Sequence, residues 1–206
     1  LNTSNVMHCG FLDDADVDAA MYVGLTGQSG AIAIPEILLG YREYEDDDGQ
    51  FVREEFSPSG KVSDTYIYVP DYDPSFDNTV SQNNQTGTGI NIQYLEDIYF
   101  GYKWYETADA EGYFNNVENE YGTGYDAVVQ YPFGYGLSYA EFAWTVKEVS
   151  PARGAALTKD GKIEVTVTVT NTSEKYAGKE VVQCYYTAPY TPGGIDKSYV
   201  VLCAFA

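Results

Sequence analysis

Tyr131-Pro132-Phe133-Gly134-Tyr135-Gly136-Leu137-Ser138-Tyr139-Ala140-Glu141-Phe142 is the stretch whose reading decides the fold. Pro132 fixes one backbone angle, and Gly134 and Gly136 permit positive φ at alternate positions. Tyr131, Phe133, Tyr135 and Tyr139 bring rings that each bury ~150–250 Å² and pin irregular backbone to a neighbouring surface. The segment has no regular period, so it is a poor helix and a poor central strand. It reads as an anchor where one architecture gives way to another. The same residues also fit a buried turn inside a single domain.

Beyond the anchor the hydrophobic period becomes two. Phe142, Trp144 and Val146 alternate with Ala143 and Thr145, and Ile163, Val165, Val167 and Val169 alternate with Glu164, Thr166, Thr168 and Thr170. Val181 to Tyr186 reads as a third strand, with turn residues at Asn171-Thr172-Ser173 and Ala177-Gly178-Lys179. Short strands at this spacing predict an antiparallel β-sandwich.

Before the anchor the pattern is mixed. Leu1 to Val6 and the apolar run Ala19 to Val23 read as strands of a parallel sheet. A helix is expected over roughly Ala31 to Leu39, stopped by Gly40, with Pro35 tolerated only near its first turn. Ligands of open α/β sheets bind at strand C-termini, which points at Gly24 to Gly30. Residues 41–57 read as a charged, solvated loop insertion, and 67–93 as a second, polar one. Counted as a calcium loop, Asp46, Asp48, Gly49 and Glu55 fall at positions 3, 5, 6 and 12, but position 1 would be Tyr44. Residues 94–106 alternate as a strand, with Ile98, Phe100, Tyr102 and Trp104 on one face. Residues 107–129 read as a further loop.

The chain has 206 residues and a formal charge of −20, with a sequence pI near 4.1. That charge opposes nucleic acid and anionic membrane surfaces and suits a neutral ligand such as a sugar. Simple solubility accounts for the acidity without any ligand. Cys9, Cys184 and Cys203 fit no metal spacing and read as free, mostly buried thiols of a reducing compartment, which favours the cytoplasm. Cys184 and Cys203 also sit where two strands would allow a pairing. Asn2, Asn84 and Asn171 lie in glycosylation sequons. Both chain ends interrupt apolar runs, so both are expected to be cuts through folded elements.

Three motifs carry a resemblance. Pro132 to Phe142 resembles the segment that closes the catalytic part of glycoside hydrolase family 3 enzymes, the β-glucosidase family, just ahead of a fibronectin type III-like domain. Tyr94 to Glu106 is similar to that family's E-G-I-x-x-G-Y-R-x-Y-D/E run, with Asp97 in place of the usual Gly and Lys103 in place of Arg. Pro58-Ser59-Gly60-Lys61 with Asp64-Thr65-Tyr66 resembles its P-S-G-K/R-L-x-x-T, and Leu1 to Asn5 the end of its last-but-one sandwich strand. The resemblance implies an α/β sandwich fragment followed by an incomplete antiparallel β-sandwich, fibronectin type III-like. It places residues 1–140 in the first and 141–206 in the second, with a barrel domain of the same chain missing upstream.

It also implies the activity: a retaining, exo-acting β-glycosidase, with an oligosaccharide or glycoside as substrate and no cofactor. Such an enzyme needs two carboxyl groups ~5–5.5 Å apart. In the family the nucleophile is an Asp of the barrel, and in related enzymes the acid/base is a Glu on a sandwich loop before the position of Leu1. Neither maps onto a residue of this chain. No catalytic or metal-binding residue is therefore assigned, the substrate-binding residues are left open, and the segment is expected to be inactive alone.

His8, the single histidine, has no nucleophile pattern around it and reads as structural. Gly87-x-Gly89 and Gly122-x-Gly124 read as loop glycines. Tyr102, Trp104 and Tyr105 fit either a core or a pocket wall. Glu96 fits a structural acceptor or a residue behind a site. The alternative function is a non-catalytic glycan- or protein-binding β-sandwich module.

Overall fold

The computed structural model describes residues 1–3, 6–27, 30–76 and 94–206. These form two compact units that interleave along the chain: residues 1–27, 61–135 and 181–206 in the first, and 28–60 with 136–180 in the second. Helices are few, and every described strand belongs to an antiparallel pair.

In the second unit, helix α1 (Gly30–Leu39) ends where the sequence places its stop, with the Gly40 N–H donating to the Glu36 and Ile37 carbonyls. Pro35 lies at the sixth helical position, so the helix begins ahead of it rather than later. Strands β1 (Tyr41–Glu45) and β2 (Phe51–Glu55) follow as a hairpin, which corrects the reading of 41–57 as a solvated loop. Opposite charges face each other across it. Arg42 pairs with Glu54 and Glu43 with Arg53, and the Arg42 guanidinium reaches Glu54 at 2.6 Å. Arg53 also lies over the Tyr41 ring, 3.8 Å from its centroid. Cross-strand pairs of this kind favour the ladder even where both faces meet water.

Further along the chain lie β3 (Tyr66–Ile67), β4 (Glu118–Asn119), β5 (Gly122–Thr123), β6 (Val129–Tyr131), β7 (Phe142–Ser150), β8 (Glu164–Asn171), β9 (Gln183–Tyr186) and β10 (Val201–Phe205). The long ribbon of the second unit is β7 with β8, bulged between Val146 and Glu148. Its register sets Trp144 against Val169 and Val146 against Val167, an apolar row that stays largely exposed, Trp144 at 59%. The Asn171 side chain closes its end, donating to the Tyr176 carbonyl and accepting from the Ser173 N–H. Strand β9 does not join this ribbon as a third strand; it pairs with β10 in the first unit. Among the described residues the ribbon therefore stays two-stranded, and β9 with β10 forms a separate antiparallel pair.

The first unit packs around helix α2 (Tyr102–Ala110). Tyr105 and Ala108, three residues apart on one helix face, bury against Ile67, Phe114, Val128 and Val129. The strand pair β3–β6 supplies Ile67 opposite Val129. This helix corrects the reading of residues 94–106 as a strand. Alternation runs out at Glu106; beyond it Glu106, Ala108 and Ala110 bring high helix propensity, and Tyr105 and Ala108 fall three apart on one face. The helix stops in a Schellman turn: the Tyr113 N–H donates to the Ala108 carbonyl and the Gly112 N–H to that of Asp109. Gly112, at φ 79°, supplies the left-handed residue the turn requires. Asp97 also sits at positive φ, 50°, and among the described non-glycine residues it alone does so. The position where the resembled family has Gly therefore demands that conformation, which Asp tolerates better than most side chains.

Ala19–Val23 forms no ladder; the Val23 N–H donates to the Leu1 carbonyl at 3.0 Å, so the two runs are neighbours without becoming a regular sheet. The region 107–129 read as a loop contains the end of α2 and the short pair β4–β5. Of the loop expected at 67–93, residues 77–93 with Asn84 and Gly87-x-Gly89 lie outside the described residues.

The anchor keeps its aromatic packing. Tyr131 stacks on Tyr135 with centroids 5.0 Å apart, and Phe133 lies 4.9 Å from Tyr102. Gly134, at φ 84°, exchanges backbone bonds with the segment at Val62, whose N–H donates to the Tyr135 carbonyl. The chain passes into the second unit immediately after, where the Tyr139 hydroxyl donates to the Leu38 carbonyl at 3.1 Å.

Phe114 is 2% exposed and Phe51 86% exposed. Phe114→Ala is expected to cost about 3–5 kcal/mol of unfolding free energy, and Phe51→Ala to stay within about 0.5 kcal/mol. Urea titration followed by tryptophan fluorescence checks both; equal effects would contradict this placement of the core.

Candidate functional site

The end of α2 and the loop before β10 enclose a cleft of ≈ 220 Å³ in the first unit. Trp104 lines it. The indole N–H is held by the Tyr72 carbonyl at 2.8 Å, so the ring is fixed in place. Tyr99 and Tyr113 meet it edge-on, with centroids at 6.4 and 5.8 Å. Tyr190, Thr191 and the glycine-bearing stretch Gly193 to Asp196 line the cleft as well. Its turn is set by the Gly194 N–H donating to the Thr191 carbonyl. The Tyr190 hydroxyl donates to the Glu111 carboxylate across the cleft. Burial and that carboxylate hold the Tyr190 phenol above its ordinary range, and Asp196 acts in the same direction on Tyr99 after burial.

The Schellman turn at Gly112 therefore has a second role. It places Glu111 and Tyr113, on either side of the glycine, at the rim of the cleft. The chemistry gathered there is rings, hydroxyls and two carboxylates, with no thiol and no imidazole.

A second polar group lies near Cys9. The Tyr68 hydroxyl donates to Asp13 Oδ2 at 2.7 Å, and Gln130 Nε2 donates to Asp13 Oδ1 and to the Cys9 carbonyl. Tyr68 stacks face to face on Tyr121 at 4.0 Å. These bonds tie the N-terminal residues to β6, and Gln130 Oε1 is left buried without a hydrogen-bond partner.

Of the side chains singled out in the sequence, Trp104 lines the cleft and Tyr105 faces the core. Tyr102 packs on Phe133 and Tyr185, and its hydroxyl accepts the Leu202 N–H. Glu96 sits half-buried in the turn ahead of α2. His8 is exposed, its ring against Gly10. Asp46 accepts the backbone N–H groups of Asp48 and Gln50, so its carboxylate holds the hairpin turn. Glu55 is taken up by Arg53 and Lys175. Cys9 is buried, but Cys203 is exposed and its thiol donates to the Cys184 carbonyl, which corrects the picture of mostly buried thiols. Gly24 to Gly30 contains two residues outside the described set and forms no described cleft. Tyr113, Tyr190, Glu111 and Asp196 were not singled out; the repeated Tyr of Tyr185-Tyr186 and Tyr190 beside a Pro-Gly-Gly turn was the available signal.

No family model matches the chain. Individual relatives do. It is 35% identical over 206 residues to a β-glucosidase of Ruminococcus albus, covering all of this chain and 17% of that protein. It is 33% identical over 205 residues to β-glucosidase A of Butyrivibrio fibrisolvens, covering 95% of this chain and 20% of that one. Among solved structures, a β-glucosidase from Paenibacillus barengoltzii superposes with a TM-score of 0.70 at 34% identity, over 100% of this chain and 18% of the other. The chain belongs to glycoside hydrolase family 3. Within it, it corresponds to the C-terminal part of β-glucosidases much longer than itself, spanning about a fifth of their length.

Tyr105 and Tyr125 have their phenol pKa values raised, first by burial and then by Asp73 and Glu106 respectively. An unfolded tyrosine titrates near about 10. The folded chain thus holds these protons more tightly, and the stability this confers is complete below pH ~10 and lost as pH rises beyond it. The urea midpoint is expected to be flat from neutral pH to ~9 and to fall above ~10, with a shallower fall in Tyr125→Phe. An alkaline slope unchanged by that substitution would exclude Tyr125 as a source.

Proposed function

We propose that this chain is part of a retaining, exo-acting β-glycosidase of the β-glucosidase type, which releases terminal β-linked sugars from oligosaccharides or glycosides. The observation that carries this reading is the match along the whole chain, 35% identical over 206 residues, to a protein named a β-glucosidase. In this reading residues 1–140 are the C-terminal part of the family's α/β sandwich domain and 141–206 begin a fibronectin type III-like domain. The apolar row of Trp144, Val146, Val167 and Val169 supports it, because one sheet of a sandwich presents such a face to the other. The catalytic carboxylates lie outside this segment, which supplies scaffold and a wall of aromatic side chains. A formal charge of −20 opposes polyanionic ligands and suits a neutral glycoside. Among the described residues no helix is long and apolar enough to cross a membrane.

A second reading, glycan binding without catalysis, is favoured by the cleft around Trp104. Turnover separates the two. The purified chain is expected to release no p-nitrophenol from p-nitrophenyl β-D-glucopyranoside above the buffer rate. The longer protein carrying the same segment, with a barrel-borne Asp, is expected to do so. Robust hydrolysis by the 206-residue chain would place the carboxylates within it and overturn the division of labour.

A further inference from the structure

We propose that the Trp104 cleft binds a single neutral pyranose ring, making this chain a sugar-binding element in its own right. The inference goes beyond the enzymatic reading because it requires no catalytic carboxylate and is read by binding alone.

Size comes first. At ≈ 220 Å³ the cleft is smaller than the ~300–1,000 Å³ that hold drug-sized ligands, and it suits one six-membered ring rather than a chain of them. Chemistry comes next. A pyranose has apolar C–H faces and a rim of hydroxyls. The cleft offers the complement: ring surface at Trp104 and Tyr113, and acceptors at Glu111 and Asp196 for hydroxyl protons. Backbone at Gly193, whose missing side chain leaves open space, faces the same volume.

The walls are already organised for a ligand. Trp104 cannot turn away while its N–H is bound to Tyr72, and Tyr190 holds Glu111 by its hydroxyl. Little ordering remains to be done on binding, which is where weak ligands lose most affinity. Tyr113 stands 66% exposed at the mouth although it contacts the Trp104 ring. An aromatic side chain in that position has ring surface left to cover. Two carboxylates exclude phosphorylated or carboxylated sugars. A small organic cation would satisfy the charges and the rings but leave the Thr191 hydroxyl and the glycine backbone without a use.

The test is a titration of the 206-residue chain with methyl β-D-glucopyranoside, followed by the Trp104 indole N–H resonance in ¹⁵N-labelled protein. A saturable shift is expected with a Kd of order 1–10 mM, usual for so small a ligand. Tyr113→Ala, at an exposed position, should raise Kd about tenfold. Tyr190→Phe, which keeps the ring but frees Glu111, should weaken binding without changing the fold by circular dichroism. Choline serves as the cationic probe. No saturable shift with the glucoside, a shift with choline alone, or glucoside binding indifferent to both substitutions would each overturn the proposal. None of these results bears on whether the longer protein hydrolyses glycosides.

Discussion

The first unit is closed by the packing of one helix face, and Tyr105 is its centre. The ring is 3% exposed, and it sits with Ala108 on Ile67, Val128 and Val129. Removing a side chain of that size from water contributes roughly 1.5–3 kcal/mol. Its hydroxyl must then find a partner, and Asp73 provides one. The remaining features of this unit are set relative to that contact. Trp104 can reach the cleft because Tyr105 and Ala108 fix the rotation of the helix, and the turn at Gly112 fixes where the chain leaves it.

The second unit is held differently. Its hairpin β1–β2 has little apolar burial, with Phe51 almost fully in water, and depends on alternating charge and on Arg53 over Tyr41. Exposed ion pairs contribute little each, typically 0.2–1 kcal/mol. What they do supply is register: Arg42 opposite Glu54 and Arg53 opposite Glu43 would both be lost by a shift of one residue. The β7–β8 ribbon is the reverse case, with a full apolar row and few charges to fix it.

Much of this was legible because the signals were local. Gly40 as a helix stop, the alternation from Ile163 to Val169 and the aromatic anchor at Tyr131 to Tyr139 each announce themselves within a few residues. Glycoside hydrolase family membership was legible for the same reason, since Pro132 to Phe142 is contiguous. Two errors have one cause each. The strand reading of 94–106 stopped at Glu106, four residues short of Ala110, where the helical period becomes visible. In 41–57 the charge run masks Asp48-Gly49, a hairpin turn signal between two segments of complementary charge. The cleft was legible only at Trp104. Glu111 and Tyr190 are 79 residues apart, and no periodicity connects them.

The open ribbon of β7 and β8 has a consequence for how the molecule behaves in concentrated solution. Among the described residues its two outer edges have no strand partner, which makes them a template for another strand, and a charge of −20 on each copy opposes such pairing at neutral pH. As the medium approaches the isoelectric region near pH 4.1, that repulsion vanishes. The exposed row at Trp144 and its neighbours is then the surface on which copies of this 206-residue chain would meet first.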